Sequence, residues 1–405
     1  MPVKLLVWNI QNFTLNKIDW TIGDTVYDDF SPTRNSYKFG AQYNTLRNDY
    51  ILNNVSLTDP DIFIVIEVVS GRGPKGSLIT SKGAAGVTTL LARLRTLNNN
   101  WCLVPPLKLT DEIQVGEIED QQEHQHLLEL LGEGSYTEGI GVFFRKDRVS
   151  FTGPYVWPNQ PANNNAHKIA VPANGAVSGP YPDIWQACLP VGNHFAGQFE
   201  FRDNTGEKLF PAQGSRRPFF TTFRELHGNQ RDISIASVHF PPQKNPAVAA
   251  LNNLATFLST NVPLGNNAAM LIVGDYNINP YADAMNSLSA ALLNTGFTPL
   301  INRDNKRTST MYYTNSNATP FVYIKDRQPL DNIAVRAGSS FDANDLDLRI
   351  INRVVESSIL FTDLNVIQSL PTKDLQDEIF RKPLNFKKIG PNPGTSDHLA
   401  VFFQM

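Results

Sequence analysis

Short apolar runs that end on a polar residue constrain this chain more than any other feature. Val3–Asn9 (VKLLVWN), Asp61–Glu67 (DIFIVIE), Asp232–His239 (DISIASVH) and Ala269–Asp275 (AMLIVGD) read as buried strands closing on Asn, Glu, His or Asp. Gly139–Arg145, Pro218–Phe223, Leu330–Arg336 and Leu399–Phe403 are further strand-like runs, the last preceded by Thr395-Ser396-Asp397-His398. Burying an unpaired carboxylate, carboxamide or imidazole is costly. When many strands end on such groups, the ends are expected to converge on one site.

Helical spacing separates the runs. It predicts helices over Ala41–Ser56, Ala84–Leu97, Ala247–Ser259 and Ala282–Asn294. Buried strands mixed with helices indicate an α/β protein with covered sheets, and no internal repeat is visible. Two stretches read as excursions from a single domain spanning residues 1–405. Residues 108–138 are acidic, with no Lys or Arg from Leu109 to Phe144, and residues 153–215 are rich in Pro, Asn and Gly. Loops this long are usually functional or disordered.

Composition excludes several classes. With 41% hydrophobic and 18% charged residues, the 405-residue chain has material for a sizeable core. A net charge of −3 argues against a histone-like surface but leaves room for a local basic groove. Two cysteines, Cys102 and Cys188, rule out a disulfide scaffold; two buried thiols is the favoured reading, with one bridge between them as the alternative. No stretch reaches the roughly 20 apolar residues of a membrane span. A strand starting at Val3 leaves no room for a signal peptide, so the expectation is a cytoplasmic protein, one exported by a leaderless route, or a trimmed mature form.

The strand-end residues suggest a chemistry. Glu67 reads either as a solvent-facing acid or as a hard-metal ligand, since Mg²⁺ favours one or two carboxylates and retains several waters. Asn9 reads as a turn former or as a contact to a phosphate oxygen or metal-bound water. In Gly274-Asp275-Tyr276-Asn277 the acid suits the positioning of water, and the amide suits the stabilisation of an anion. His239 and His398 each have plausible acid partners, the arrangement that fixes a ring tautomer for acid/base work. Other features read as bland. Glu123-His124-Gln125-His126 suits a solvated helix face, and Trp157 and Trp185 suit anchors of a long loop. His167, His194 and His227 lack a motif. The acidic run near 108–138 suits a solvated face, with a protein-partner surface as the alternative.

Taken in order, Trp8-Asn9-Ile10, Glu67, Ser237-Val238-His239, Gly274-Asp275-Tyr276-Asn277, Leu330-Asp331-Asn332 and Ser396-Asp397-His398 resemble the endonuclease/exonuclease/phosphatase superfamily. The likeness runs from residue 3 to 403. It implies a four-layer α/β sandwich, two packed mixed β-sheets flanked by helices, with the site at one edge. Ser135-Tyr136-Thr137-Glu138 and Arg216-Arg217-Pro218 resemble segments of the deoxyribonuclease I-like branch. That resemblance implies pairs Glu138–His239 and Asp331–His398, with Glu67 and Asp397 holding the metal near Asn9. It also implies that Asp275 and Asn277 serve the attacking water and the phosphate, and that Tyr136 and Arg216 contact the substrate. The sequence departs from the pattern at Ile66, where the family often has Gln, at Gln11, where the deoxyribonuclease I-like branch has a basic residue, and at Tyr276, which stands in place of the usual Phe.

The resulting expectation is a Mg²⁺-dependent phosphodiesterase, with Mn²⁺ able to substitute, acting on DNA as an endonuclease of low sequence specificity. A phosphatase or lipid-headgroup phosphodiesterase of the same superfamily is the alternative. A catalytically dead binding module would show losses among the motif residues, and none is seen.

Overall fold

The structure, a computed structural model, describes residues 2–15, 18, 51–73, 79, 81–104, 106–114, 134–151, 168–170, 195–198, 201–202, 208–210, 216–261, 264–278, 286–301, 310–312, 324–326, 330–339, 341, 346–351, 388–389, 392–393, 398 and 400–405. The sequence expectations for Asp397, Cys188, the helix face at Glu123–His126, His167, His194, Trp157 and Trp185 lie outside these residues.

Two mixed sheets dominate. The seven-stranded first sheet is built on β1 (Lys4–Phe13), β2 (Ile62–Ser70), β3 (Trp101–Val104) and β4 (Ser135–Arg145). The eight-stranded second sheet is built on β5 (Phe219–Glu225), β6 (Asp232–His239), β7 (Ala268–Asp275) and β8 (Asp331–Ala337). The first sheet is completed at its other side by β9 (Asp347–Ile351) and β10 (Ala400–Gln404), in the order β9-β10-β1-β2-β4-β3. The second runs β8-β7-β6-β5 through its middle.

Each sheet carries the same central motif. A parallel pair, β1–β2 or β6–β7, is flanked on both sides by antiparallel strands. Parallel neighbours require a crossover, usually a helix. Between β6 and β7 it is α3 (Lys244–Asn261); α1 (51–58) lies between β1 and β2. The motif was invisible as a sequence repeat because only its topology recurs.

Side-chain alternation along the strands makes the layers. Leu5, Val7, Ile62, Ile64, Ile140, Val142, Phe144 and Val401 of the first sheet face Ile233, Ile235, Leu271, Val273, Ile333 and Val335 of the second. The opposite face of the first sheet, with Leu6, Trp8, Phe63 and Val65, packs on Val87, Leu90, Leu91 and Leu94 of α2 (Ser81–Leu97). The outer face of the second, with Ala236, Val238, Met270 and Ile272, packs on Leu251, Leu254 and Leu258 of α3 and on Leu292 of α4 (Asn286–Asn294). The expected four-layer sandwich is present. A fully buried aliphatic or aromatic side chain contributes about 1.5–3 kcal/mol, so the layer between the sheets is the main source of cohesion.

Over the described residues the expected strands and helices form, with some shifted ends; residues 41–50 and 282–285 of two expected helices lie outside them. β1 runs on to Phe13, and β4 starts four residues earlier than its apolar run, at Ser135. Lys108–Thr110 and Ser135–Glu138, read from sequence as the ends of an excursion, are buried framework. Edge strands β3 and β9 were not anticipated. No described helix is long and apolar enough to cross a membrane.

Candidate active site

At one end of the sandwich the rows facing the inter-sheet core turn polar together. Leu5 and Val7 are followed two residues on by Asn9. Phe144, Val142 and Ile140 lead back to Glu138, and Ile235 and Ser237 lead to His239. Leu271 and Val273 lead to Asp275, and Val335 and Ile333 lead back to Asp331. Strand direction explains why these ends coincide. The parallel pairs bring their C-terminal ends to this edge, and the antiparallel β4, β8 and β10 bring their N-terminal ends. His239, Asp275 and Asp331 stand side by side in register across three strands.

Three hydrogen bonds stitch the two sheets together here. Asn9 Nδ2 donates to Asp275 Oδ2 at 3.0 Å. His239 Nδ1 lies 2.9 Å from Glu138 Oε2. His398 Nδ1, just before β10, lies 2.7 Å from Asp331 Oδ2. Because an ionised carboxylate only accepts, Nδ1 is the donor in both imidazole pairs, which turns each Nε2 toward the site. Both Nε2 atoms approach the same oxygen: Asp275 Oδ2 is 3.7 Å from that of His239 and 3.5 Å from that of His398. The implied pairings Glu138–His239 and Asp331–His398 are both brought together.

Glu67 reaches the cluster through a β-bulge. Between Val65 and Val68 two residues of β2 oppose one of β4, and the pairing with β1 also shifts after Asn9. Glu67 itself has φ of 63°, a conformation that costs a non-glycine residue energy and recurs at functional sites. Its carboxylate is held by Asn9 Nδ2 at 2.9 Å and by the Asn12 backbone N–H at 2.9 Å. His239 Nε2 is 3.5 Å from its Oε1. Asn9 is thus a donor bridging the carboxylates of Glu67 and Asp275. Asn12, near the end of β1 and also at positive φ, was missed from the sequence; Asn is a residue type that tolerates that conformation.

Asp275 is held from its other side by the Asn277 backbone N–H, 2.8 Å from Oδ1. The Asn277 side chain donates to Phe240 O at 2.7 Å, fastening the loop beneath His239. Gly274 before it has φ of 133°, and a Cβ there would stand 2.1 Å from Val238 O. Only glycine lets β7 lie this close to β6. Tyr276 turns inward, its hydroxyl donating to Ile272 O. Trp8 Nε1 donates to His398 O at 2.9 Å, a further contact the sequence reading did not name.

Glu138 is a strongly perturbed acid. Burial by itself would raise its pKa, but the charges of Arg216 and His239, with hydrogen bonds from His239 and Tyr136, outweigh that and hold it at about 2. Arg216 Nη1 lies 3.1 Å from Glu138 Oε2. It also lies 2.6 and 2.8 Å from the two ring nitrogens of His239, against the ring rather than in line with one of them.

A divalent cation suits the donors present. Ligand atoms of Glu67, His239 and Asp275 lie within 4.8 Å of one another, as do those of Asp275, Asp331 and His398. Carboxylate oxygens are hard donors, and Mg²⁺ takes one or two of them. Buried carboxylates also gain from a compensating positive charge.

No protein-family model and no curated protein matches the sequence. Solved structures do. The chain is similar to those of the endonuclease/exonuclease/phosphatase family. One is a family protein from Leptotrichia buccalis, at 13% identity over 99% of this chain and 98% of that one, with a TM-score of 0.41. D. rerio TDP2 complexed with a single-strand DNA product is 12% identical over 100% and 98% of the two chains, TM-score 0.44. The human Nocturnin catalytic domain with bound sulfate is 12% identical over 100% and 93%, TM-score 0.42.

Proposed function

We propose that this protein is a divalent-metal-dependent phosphodiesterase of the endonuclease/exonuclease/phosphatase type, acting on DNA as an endonuclease of low sequence specificity. The observation that carries the reading is the convergence of two carboxylate-bound imidazoles on Asp275. Hydrolysis of a phosphodiester needs a group to orient or deprotonate water, a proton donor for the departing oxygen, and stabilisation of charge on phosphorus. Asp275 and the two outward-facing Nε2 atoms supply the first two. Glu138 and Asp331 hold the rings in the required tautomer and stabilise the imidazolium that forms.

Glu67 would hold the metal, with Asp275 close to it and with Asp397, which lies outside the described residues, as the further ligand the resemblance implies, and Mg²⁺ is the ion that best fits these oxygen donors. When bound, it supplies Lewis-acid polarisation of the phosphoryl group and offsets charge on the leaving oxygen. Asn9 keeps the carboxylates of Glu67 and Asp275 at a fixed separation, while Asn277 and Tyr136 support Asp275 and Glu138.

The test is a substrate panel with Mg²⁺: supercoiled plasmid, linear duplex, single strands, RNA and a phosphorylated lipid headgroup. Nicking and linearisation of plasmid support the proposal. Duplex affinity should also fall as salt rises, because phosphate contacts release counterions. Release of inorganic phosphate from the headgroup without nicking would replace it with the phosphatase reading.

A further inference from the structure

The two imidazole–carboxylate pairs are not equivalent, and the difference lies in Arg216. Resting on the phosphodiesterase reading above, we propose that Arg216 is a positioning residue for the Glu138–His239 pair, acting on every substrate the site hydrolyses and not only where a polynucleotide backbone is present.

Four observations carry this. Glu138 Oε2 faces two partners, His239 Nδ1 in a hydrogen bond at 2.9 Å and Arg216 Nη1 in an ion pair at 3.1 Å. The same Nη1 stands against both nitrogens of the His239 ring, so one guanidinium group touches both members of the pair. The Arg216 side chain is only 18% exposed and that of Glu138 6%, so their attraction is little screened by water. The main chain presets the contact as well. Arg217 N donates to Leu109 O, Leu109 N donates to Glu138 O, and Glu138 N donates to Thr110 Oγ1. Arg216 is therefore locked to Glu138 through a three-segment backbone ladder. A side chain whose sole task was to reach outward for a substrate would need none of this.

The geometry gives Arg216 a definite task. Glu138 belongs to the first sheet and His239 to the second, so their bond spans the inter-sheet seam. A carboxylate holding one imidazole can rotate about its last torsion. A guanidinium charge fixed beside the same oxygen restricts that rotation, and the planar, weakly hydrated guanidinium suits a buried carboxylate better than a Lys ammonium does. The Asp331–His398 pair reaches its 2.7 Å contact with both partners nearly fully buried.

Two measurements test the proposal. The first is hydrolysis of bis(4-nitrophenyl) phosphate, which has no neighbouring phosphates for an arginine to grip, by wild type, Arg216→Gln and Arg216→Lys. Arg216→Gln is expected to lower kcat about tenfold or more with KM changed less than about threefold, and Arg216→Lys to recover part of the loss. An unchanged kcat on this diester, with a raised KM on plasmid alone, would overturn the positioning role and leave Arg216 as a backbone-phosphate contact. The second measurement needs no turnover: ¹⁵N spectra of the histidine rings in the folded proteins. Arg216→Gln should shift the His239 ring signals and leave those of His398 in place; unmoved His239 signals would overturn the proposal. If wild type hydrolyses neither diester nor plasmid, the phosphodiesterase reading fails, while the ring spectra still decide whether Arg216 orients His239.

Discussion

Asp331 Oδ2 and His398 Nδ1 meet at 2.7 Å although the first opens a strand of one sheet and the second precedes a strand of the other. The Glu138–His239 and Asn9–Asp275 bonds cross the same seam. The geometry of the site is thus set by how two sheets stack, and each pair reports on that stacking as well as on chemistry.

Replacing Asp331 with Asn tests the tautomer argument. An amide can present N–H to His398 Nδ1, which would move the ring proton to Nε2 and remove the lone pair that faces Asp275. Turnover is expected to fall a hundredfold or more, the scale of a misassigned catalytic imidazole. Melting temperature and ring ¹⁵N shifts separate a tautomer change from unfolding.

Glu67→Gln should weaken binding of Mg²⁺ without unfolding the protein, because Gln keeps the shape and can still accept from Asn12 N–H. Titration calorimetry with Mg²⁺ alone reads this directly. Equal affinity in the variant and the wild type would remove Glu67 from the metal site.

Gly274→Ala places a methyl group 2.1 Å from Val238 O at a φ of 133°, so the backbone of β6 or β7 must move. The expected loss is roughly 2 kcal/mol or more of stability, measurable by urea unfolding. Activity should fall further than stability alone explains, since Asp275 is the next residue.

Glu138 links stability to pH. Its pKa is lowered from 4.5 to about 2 in the folded state, so its ionised form stabilises the fold above about pH 4.5. That contribution, on the order of 3 kcal/mol, is lost as pH falls through the window from 4.5 toward 2. Glu138→Gln should be less stable than wild type at neutral pH, with the gap closing across that window. Melting curves of both proteins from pH 7 to pH 2.5 check the sign; a gap that widens on acidification contradicts it.

Much of this arrangement was legible in the sequence, and physics explains which part. Buried strands write themselves as apolar runs, so β6 and β7 were found to within a residue, and polar residues at their ends marked His239 and Asp275. Strand β4 was read short because Ser135, Tyr136, Thr137 and Glu138 are polar, yet they are buried at the seam where a polar pattern is the function. Sequence periodicity also gave no hint of the bulge at Glu67, since one extra residue in an apolar strand changes register without changing composition. The contact of Arg216 with His239 was out of reach for a similar reason: it depends on a tertiary ladder through Leu109 that no local pattern records.

The most direct measurement of the central claim is cleavage of supercoiled plasmid by the full chain, in Mg²⁺ and in excess chelator, alongside His398→Ala. The account predicts nicked and linear products with Mg²⁺, none with chelator, and a rate at least about a hundredfold lower for His398→Ala at a temperature where circular dichroism shows the variant folded. Full-rate cleavage in chelator, or by His398→Ala, would contradict it.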